Sequence, residues 1–224
     1  MAKRSFSSLA ARINPSVPGC ALPLIVQYTR NAAIQTCERT LAWRYEQPAF
    51  TLTPGTYQYT YNKPTDTEVH AVLHTALNDY EALTPIPLDQ ATELYPGWVR
   101  ASTDAQDIED NGSQPRHITQ VSPDGFLTLP PPDAAETYTL RMIYALKPSH
   151  NASEMDEGVM NQLEEAIVSK TLQDLLVLPN TAWSDRELAS YHAKQYLARV
   201  TEYRAHANLG RVRATLTARA PRFA

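Results

Sequence analysis

Glycine is scarce in this chain, seven residues in 224, and no Gly-rich loop of the kind that cradles phosphate can be traced in it. Proline is more than twice as frequent, at 17, so the connections are expected to be stiff and extended rather than hinged. Cysteine is limited to Cys20 and Cys37, too few for a disulfide framework; two free thiols in a reducing compartment are expected. No run approaches the roughly 20 apolar residues that span a bilayer, and no membrane role is expected. A basic excess is missing too. The formal net charge is −4, which argues against a protein that wraps nucleic acid by bulk attraction. The opening residues, Met1 to Leu9, are basic and Ser-rich, faintly like a transit peptide, but lack the apolar heart of a secretory signal. Residues 1–21 are therefore expected to form an uncleaved, solvated arm.

Motifs that carry chemistry are equally wanting. There is no G-x-S-x-G elbow and no H-E-x-x-H. His70 and His74 share a side with Glu68, as a metal pair would, but no further ligand accompanies them and a wet strand face is expected. Asp107, Glu109, Asn111 and Gly112 imitate the start of a calcium loop, with glycine at the sixth place. The twelfth place holds Ile118 instead of a bidentate glutamate, so an acidic surface loop is expected. Asp156, Glu157, Glu164 and Glu165 read as surface charge on helices, and Trp43, Trp98 and Trp183 as core or interface anchors. No catalytic residue, metal or cofactor is expected; the chain does not read as an enzyme.

What is present is an ordinary globular composition, 43% hydrophobic and 20% charged, in a chain long enough to bury one large core or two small ones. The exception is 12 tyrosines against four phenylalanines; an aromatic ring with a polar tip suits surfaces that become half buried on association. From Leu24 to Arg44 the residues Val26, Ala33, Ile34, Cys37 and Leu41 recur on one side of a helix, which Pro48 ends. Phe50 and Leu52, a Pro54-Gly55 turn, then Tyr57, Tyr59 and Tyr61 read as a β-hairpin. Val69, Ala71, Leu73 and Leu77 make a strand with one wet face. Between Thr84 and Pro115 only a short helix at Leu88–Leu94 and an apolar point at Trp98 stand out. His117–Val121 and Phe126–Leu129 are strand-like around the turn at Pro123-Asp124-Gly125. Tyr138, Leu140, Met142, Tyr144 and Leu146 form a long strand that stops at Pro148.

The last third is helical. Ser153 is expected to cap a helix reaching about Leu178. Ser184 and Glu187 form a capping box for a second, whose stripe is Ala189, Ala193, Tyr196, Val200, Tyr203 and Ala207. The expected fold is α+β: a helical bundle of one N-terminal and two C-terminal helices (22–47 and 150–209) with an inserted antiparallel β domain (48–149). Leu41 is expected to meet Leu172 or Leu175 in the bundle core.

Residues 210–224 are expected to form an extended C-terminal tail. Val212, Ala214, Leu216 and Ala218 alternate with Arg211, Arg213, Thr215 and Thr217, and no acidic residue follows Glu202. Fully extended, this ribbon spans roughly 45 Å. Basic and half apolar, it suits strand addition along another protein with acidic walls. The residues expected to dock are Arg211, Val212, Arg213, Leu216, Arg219, Arg222 and Phe223. Tyr57, Tyr59, Tyr61 and Trp183 are candidate interface aromatics.

Three segments together carry a resemblance. The first runs from Leu22-Pro23-Leu24-Ile25 through Ala32 to Arg44. The second runs from Leu127 through Pro130-Pro131-Pro132 to Leu140 and Pro148. The third comprises Leu178-Pro179, Trp183-Ser184-Asp185, Ala189, Tyr191-His192, Ala207 to Arg211 and Pro221 to Ala224. In this order and spacing they resemble the head-to-tail adaptor (connector) proteins of tailed phages, over about residues 20 to 224. Thr84–Pro115 matches only loosely, and no single motif is a chemical signature. The resemblance implies a structural subunit of the virion neck, made in the host bacterial cytoplasm. It implies a ring, usually of twelve copies, seated under the portal protein and receiving a tail or nozzle protein below, with DNA passing through the lumen. The C-terminal tail would reach into the portal. The alternative from the residues alone is a module that binds a peptide or other ligand on its Tyr-rich β domain; a hydrolase ranks behind both for want of any constellation.

Overall fold

The computed structural model describes residues 2–78, 81–96 and 114–209. Three long helices carry one side of it. α2 (Leu22–Thr40) opens with Pro23 in its first turn, where a missing N–H costs nothing. It buries Thr29, Ala32, Ala33, Thr36, Cys37 and Thr40, small side chains that allow close packing. The threonine hydroxyls return to the carbonyls one turn back, at 2.8 Å for Thr29 to Ile25, 2.6 Å for Thr36 to Ala32 and 2.7 Å for Thr40 to Thr36, so each of these buried hydroxyls has a partner. The helix stops four residues before Arg44 because Leu41 turns left-handed, φ 52°, and its N–H closes on Cys37 O at 2.9 Å.

α4 (Glu157–Leu176) and α5 (Arg186–Leu209) are an antiparallel pair that packs on α2. Both are capped by aspartates rather than by the expected serines. Asp156 accepts the Val159 N–H at 3.0 Å, while Asp185 accepts the Leu188 N–H at 2.9 Å. Ser153 instead offers its carbonyl to Phe6, and the Ser184 hydroxyl donates back to Leu176 O at 3.3 Å.

Two sheets lie beneath. The first has the order β2 (Arg44–Thr51), β8 (Thr139–Pro148), β4 (Thr67–Leu77), all antiparallel. The second has the order β3 (Gln58–Thr60), β7 (Gly125–Leu129), β6 (His117–Ser122), β5 (Thr84–Pro85), with β5 parallel to β6 and the short α3 (Leu88–Leu94) beside them. The β6–β7 hairpin forms as the sequence predicts. The other expected hairpin does not. The Pro54-Gly55 turn carries the chain from one sheet to the other, so β2 pairs with β8 and β3 with β7. Alternation reveals which residues face inwards, not which strand is the partner.

The expected helical bundle with an inserted β domain is overturned: this is a mixed α/β chain with a strand-rich core that helices and sheets share. β8 explains why. Successive strand side chains point to opposite faces, yet Tyr144, Ala145 and Leu146 are all fully buried. Tyr144 meets Tyr61 across the sheets at 5.1 Å, which leaves the small Ala145 on the face that α2 covers. Lys147, on that same face, reaches Glu38 of α2 at 2.8 Å. Leu41 sits half-buried at the helix cap, and the α2 residues in the shared core are Ile25, Ala32, Ala33 and Cys37.

The solvated-arm expectation for residues 1–21 is also corrected. β1 (Lys3–Ser5) adds as an antiparallel strand to β9 (Glu154–Asp156), in register Lys3 to Asp156 and Ser5 to Glu154. One turn of 3₁₀ helix (Phe6–Leu9) and α1 (Ala10–Ile13) follow. Phe6, Leu9, Ile13 and Val17 are all completely buried. Their spacing of three, four and four is helical, and it lay unread beneath the basic, Ser-rich surface residues.

Candidate interaction surface

The helix that feeds the expected docking ribbon is firmly seated. Ala189, Tyr196 and Val200 of α5 are buried on the side facing α4 and α2. The Tyr196 ring lies under two cations, Arg39 of α2 at 5.6 Å and Lys170 of α4 at 6.0 Å, so three helices converge on one side chain. Burial raises its phenol pKa, with Thr36 and Arg39 pulling the other way. The outward side of α5 exposes Lys194, Ala198 and Thr201, flanked by Tyr191 and Leu197 at 55% and 56% exposure. Trp183 packs partly buried against the core just ahead of this helix. Arg211, Val212, Arg213, Leu216, Arg219, Arg222 and Phe223 lie outside the described residues, as do Trp98, Asp107, Glu109, Asn111 and Gly112.

Of the tyrosines expected as interface aromatics, Tyr61 is a core residue and Tyr59 packs partly buried against the same core. Tyr61 is 6% exposed and packs 4.9 Å from Phe126. Tyr59 stacks on Phe126 at 5.7 Å; its hydroxyl donates to Thr56 O at 2.9 Å and receives the Thr53 N–H at 3.1 Å. Desolvation pushes the Tyr59 phenol up to about 12 and those of Tyr61 and Tyr144 well above their ordinary range. Tyr57 rests partly buried on a satellite cluster of Ile86, Ala91, Leu127 and Leu129. A two-sheet layer needs large rings to fill it, and those rings came from the Tyr-rich segment.

His70 and His74 are exposed on β4, whose pairing with β8 shifts register at both places. Glu68 turns towards Lys147 at 3.6 Å. Among the described residues no group of three His, Cys, Asp or Glu is placed to hold a metal ion. Cys37 is fully enclosed, and burial, with Glu38 nearby, raises its thiol to about 12, so it stays protonated and unreactive. The Tyr95 hydroxyl and His117 Nδ1 are 2.8 Å apart, fastening the end of α3 to β6, and burial and then Arg116 lower the imidazole pKa.

Sequence reasoning missed two features. One is a dent on the β2-β8-β4 sheet, two hollows of about 310 and 240 Å³ that share Glu46 and Arg141. Pro48 and Ala49 bulge out of β2 beside it, and a proline within a strand pattern was the available signal. The other is the seat of the N-terminal segment. Arg4 and Arg12 each reach one oxygen of Glu164 at 2.7 Å, and Arg12 also meets Glu165 at 2.7 Å.

Burial alone would raise the Glu164 pKa, but hydrogen bonds from Arg12 and Arg4 outweigh it and hold the carboxyl below its usual 4.5. A depressed carboxylate pKa gives stability that is present above the unfolded value and lost as pH falls through the folded one. Glu164→Gln is therefore expected to flatten the acid limb of a stability profile below about pH 4.5 and to leave a smaller difference between pH 7 and pH 3 than the unaltered chain shows. Urea midpoints across that range check it. Parallel profiles would remove the arginine–glutamate seat from the account.

No protein-family model matches this chain, and no curated protein matches it.

Proposed function

We propose that this chain is a non-catalytic structural subunit: an adaptor of a phage neck, one member of a ring that joins the portal to the tail while DNA passes through the lumen. The observation that carries the reading is the C-terminal third. α5 is clamped along one side, exposes Tyr191 and Leu197 on the other, and runs directly into a basic, half-apolar ribbon. The resemblance to tailed-phage adaptors supplies the kind of assembly. Charge supports the division of labour. Four of the 20 Lys and Arg lie in residues 210–224 with no acidic residue, leaving 16 against 24 Asp and Glu, a charge of −8, on residues 1–209. An acidic body does not hold the polyphosphate it conducts, and the basic ribbon seeks an acidic acceptor elsewhere. Tyr61, buried between the sheets, and Tyr59, partly buried with its ring stacked on Phe126, give little support to a ligand-binding face on the β domain.

Deleting residues 211–224 is expected to abolish co-sedimentation with portal particles, a loss of at least about a hundredfold in affinity. The melting temperature is expected to move by less than about 2 °C, because on this reading the tail's acceptor is another protein. Arg213→Glu with Arg219→Glu should weaken the same association while sparing the fold. A truncated chain that still joins portals, or a charge reversal that costs fold and docking equally, overturns the reading.

A further inference from the structure

Residues 2–17 are held by contacts that any identical copy offers equally well. We propose that this segment exchanges between copies, the strap of one chain seating in the slot of another. The partner is a second copy of this chain, and the inference does not depend on the adaptor reading.

The strap and its slot are complementary in the way of a ligand and a receptor. The free edge of β9 takes β1 by three residue pairs. Apolar hollows take Phe6, Leu9, Ile13 and Val17, each with no exposed surface. Every strap cation meets a carboxylate: Lys3 finds Glu154 at 3.1 Å and Asp66 at 3.7 Å, Arg4 finds Glu164, and Arg12 finds Glu164 and Glu165. Strand addition, apolar anchors and matched charge together make a specific docking mode, and here both halves belong to one sequence.

A single tight turn joins the strap to α2. Val17 O accepts the Cys20 N–H at 3.1 Å, with Pro18 and Gly19 between them and Gly19 at φ +84°. This is the pattern of a type II turn, whose third position needs a positive φ. A Cβ on Gly19 would meet nothing within 4 Å, so the glycine serves its backbone angle alone. Opening the turn forfeits that one hydrogen bond, and every strap contact is then remade on the neighbour. Closed and exchanged forms thus differ little in energy, and chain concentration decides between them.

Ser5 and Glu154 lie directly opposite in the β1–β9 pair, which gives the test. One tagged chain carries Ser5→Cys, a differently tagged chain carries Glu154→Cys, and the two are mixed at high concentration and oxidised. A disulfide-linked pair bearing both tags is expected, in far greater yield than either variant gives alone. Gly19→Pro locks φ near −65°, cannot close the turn, and is expected to raise the linked fraction at least about fivefold and to shift the chain to larger species on a sizing column. Failure of the two tagged chains to link above the single-variant background overturns the proposal. So does a folded Gly19→Pro chain that stays monomeric. If that variant does not fold, the tagged pair, whose hinge is unaltered, decides by itself.

Discussion

Replacing Phe6 by alanine should lower the unfolding free energy by about 3–5 kcal/mol, the usual cost of emptying a closed aromatic site. For a chain of this length that is a fall of roughly 10 °C in melting temperature. The side chain has no exposed surface and its N–H is bonded to Ser153 O at 3.2 Å, so the ring is fixed at the corner where β1 becomes a helical turn. Leu9, Ile13 and Val17 close the same core and cannot refill the space without moving the strap off α4 and β9. Phe6→Leu keeps most of the volume and should cost under about 1.5 kcal/mol. A solvated arm gives another result: substitutions there stay within about 0.5 kcal/mol. Urea unfolding of the two variants separates these cases, and equal, negligible effects would remove the strap from the core. Exchange between copies leaves the expectation unchanged, because Phe6 is buried in either seat.

What the sequence discloses depends on whether the deciding information is local. α5 is local: Ala189, Tyr196 and Val200 recur at helical spacing, and the structure buries all three. β8 is local too, since Leu140, Met142, Tyr144 and Leu146 alternate and are buried as a row. Strand partners are not local. Phe50 and Tyr59 alternate as they would in a hairpin, yet their rings meet at 6.0 Å from strands of different sheets. The shared core escaped the sequence for the same reason. Nothing in a run of alternating residues says that Ala145 will lie beneath a helix while Tyr144 faces a second sheet. In the N-terminal segment the apolar spacing was present, but its cations looked like a soluble surface until Glu154, Glu164 and Glu165 were placed opposite them. The candidate site divides likewise. The expected docking residues of the tail lie outside the described residues, whereas the packing of Tyr59 and Tyr61 against Phe126 followed from a sheet pairing that composition does not encode.

Phe126→Ala should be as damaging as the strap variant, about 3–5 kcal/mol, and it tests what the tyrosines are for. Phe126 has no exposed surface and touches three rings, Tyr61 at 4.9 Å, Tyr59 at 5.7 Å and Phe50 at 6.4 Å, so its loss opens the space between the sheets. Aromatic pairs add about 0.5–1.5 kcal/mol beyond their area, which places this site at the upper end of the range. Two hydroxyl deletions sharpen the assignment. The Tyr61 hydroxyl is buried with no hydrogen-bond partner among the described residues, so Tyr61→Phe removes a desolvated polar atom and should leave stability unchanged or slightly higher. The Tyr144 hydroxyl donates to Asn62 O at 2.6 Å, so Tyr144→Phe strands a carbonyl and should cost about 1–2 kcal/mol. A recognition surface inverts this order, because its hydroxyls serve a ligand and its rings can be removed with little effect on folding. Thermal melts of the three variants therefore discriminate. A stable Phe126→Ala chain that has lost an interaction would assign the Tyr-rich strands to a recognition surface, whereas a destabilised one assigns them to the packing between the sheets.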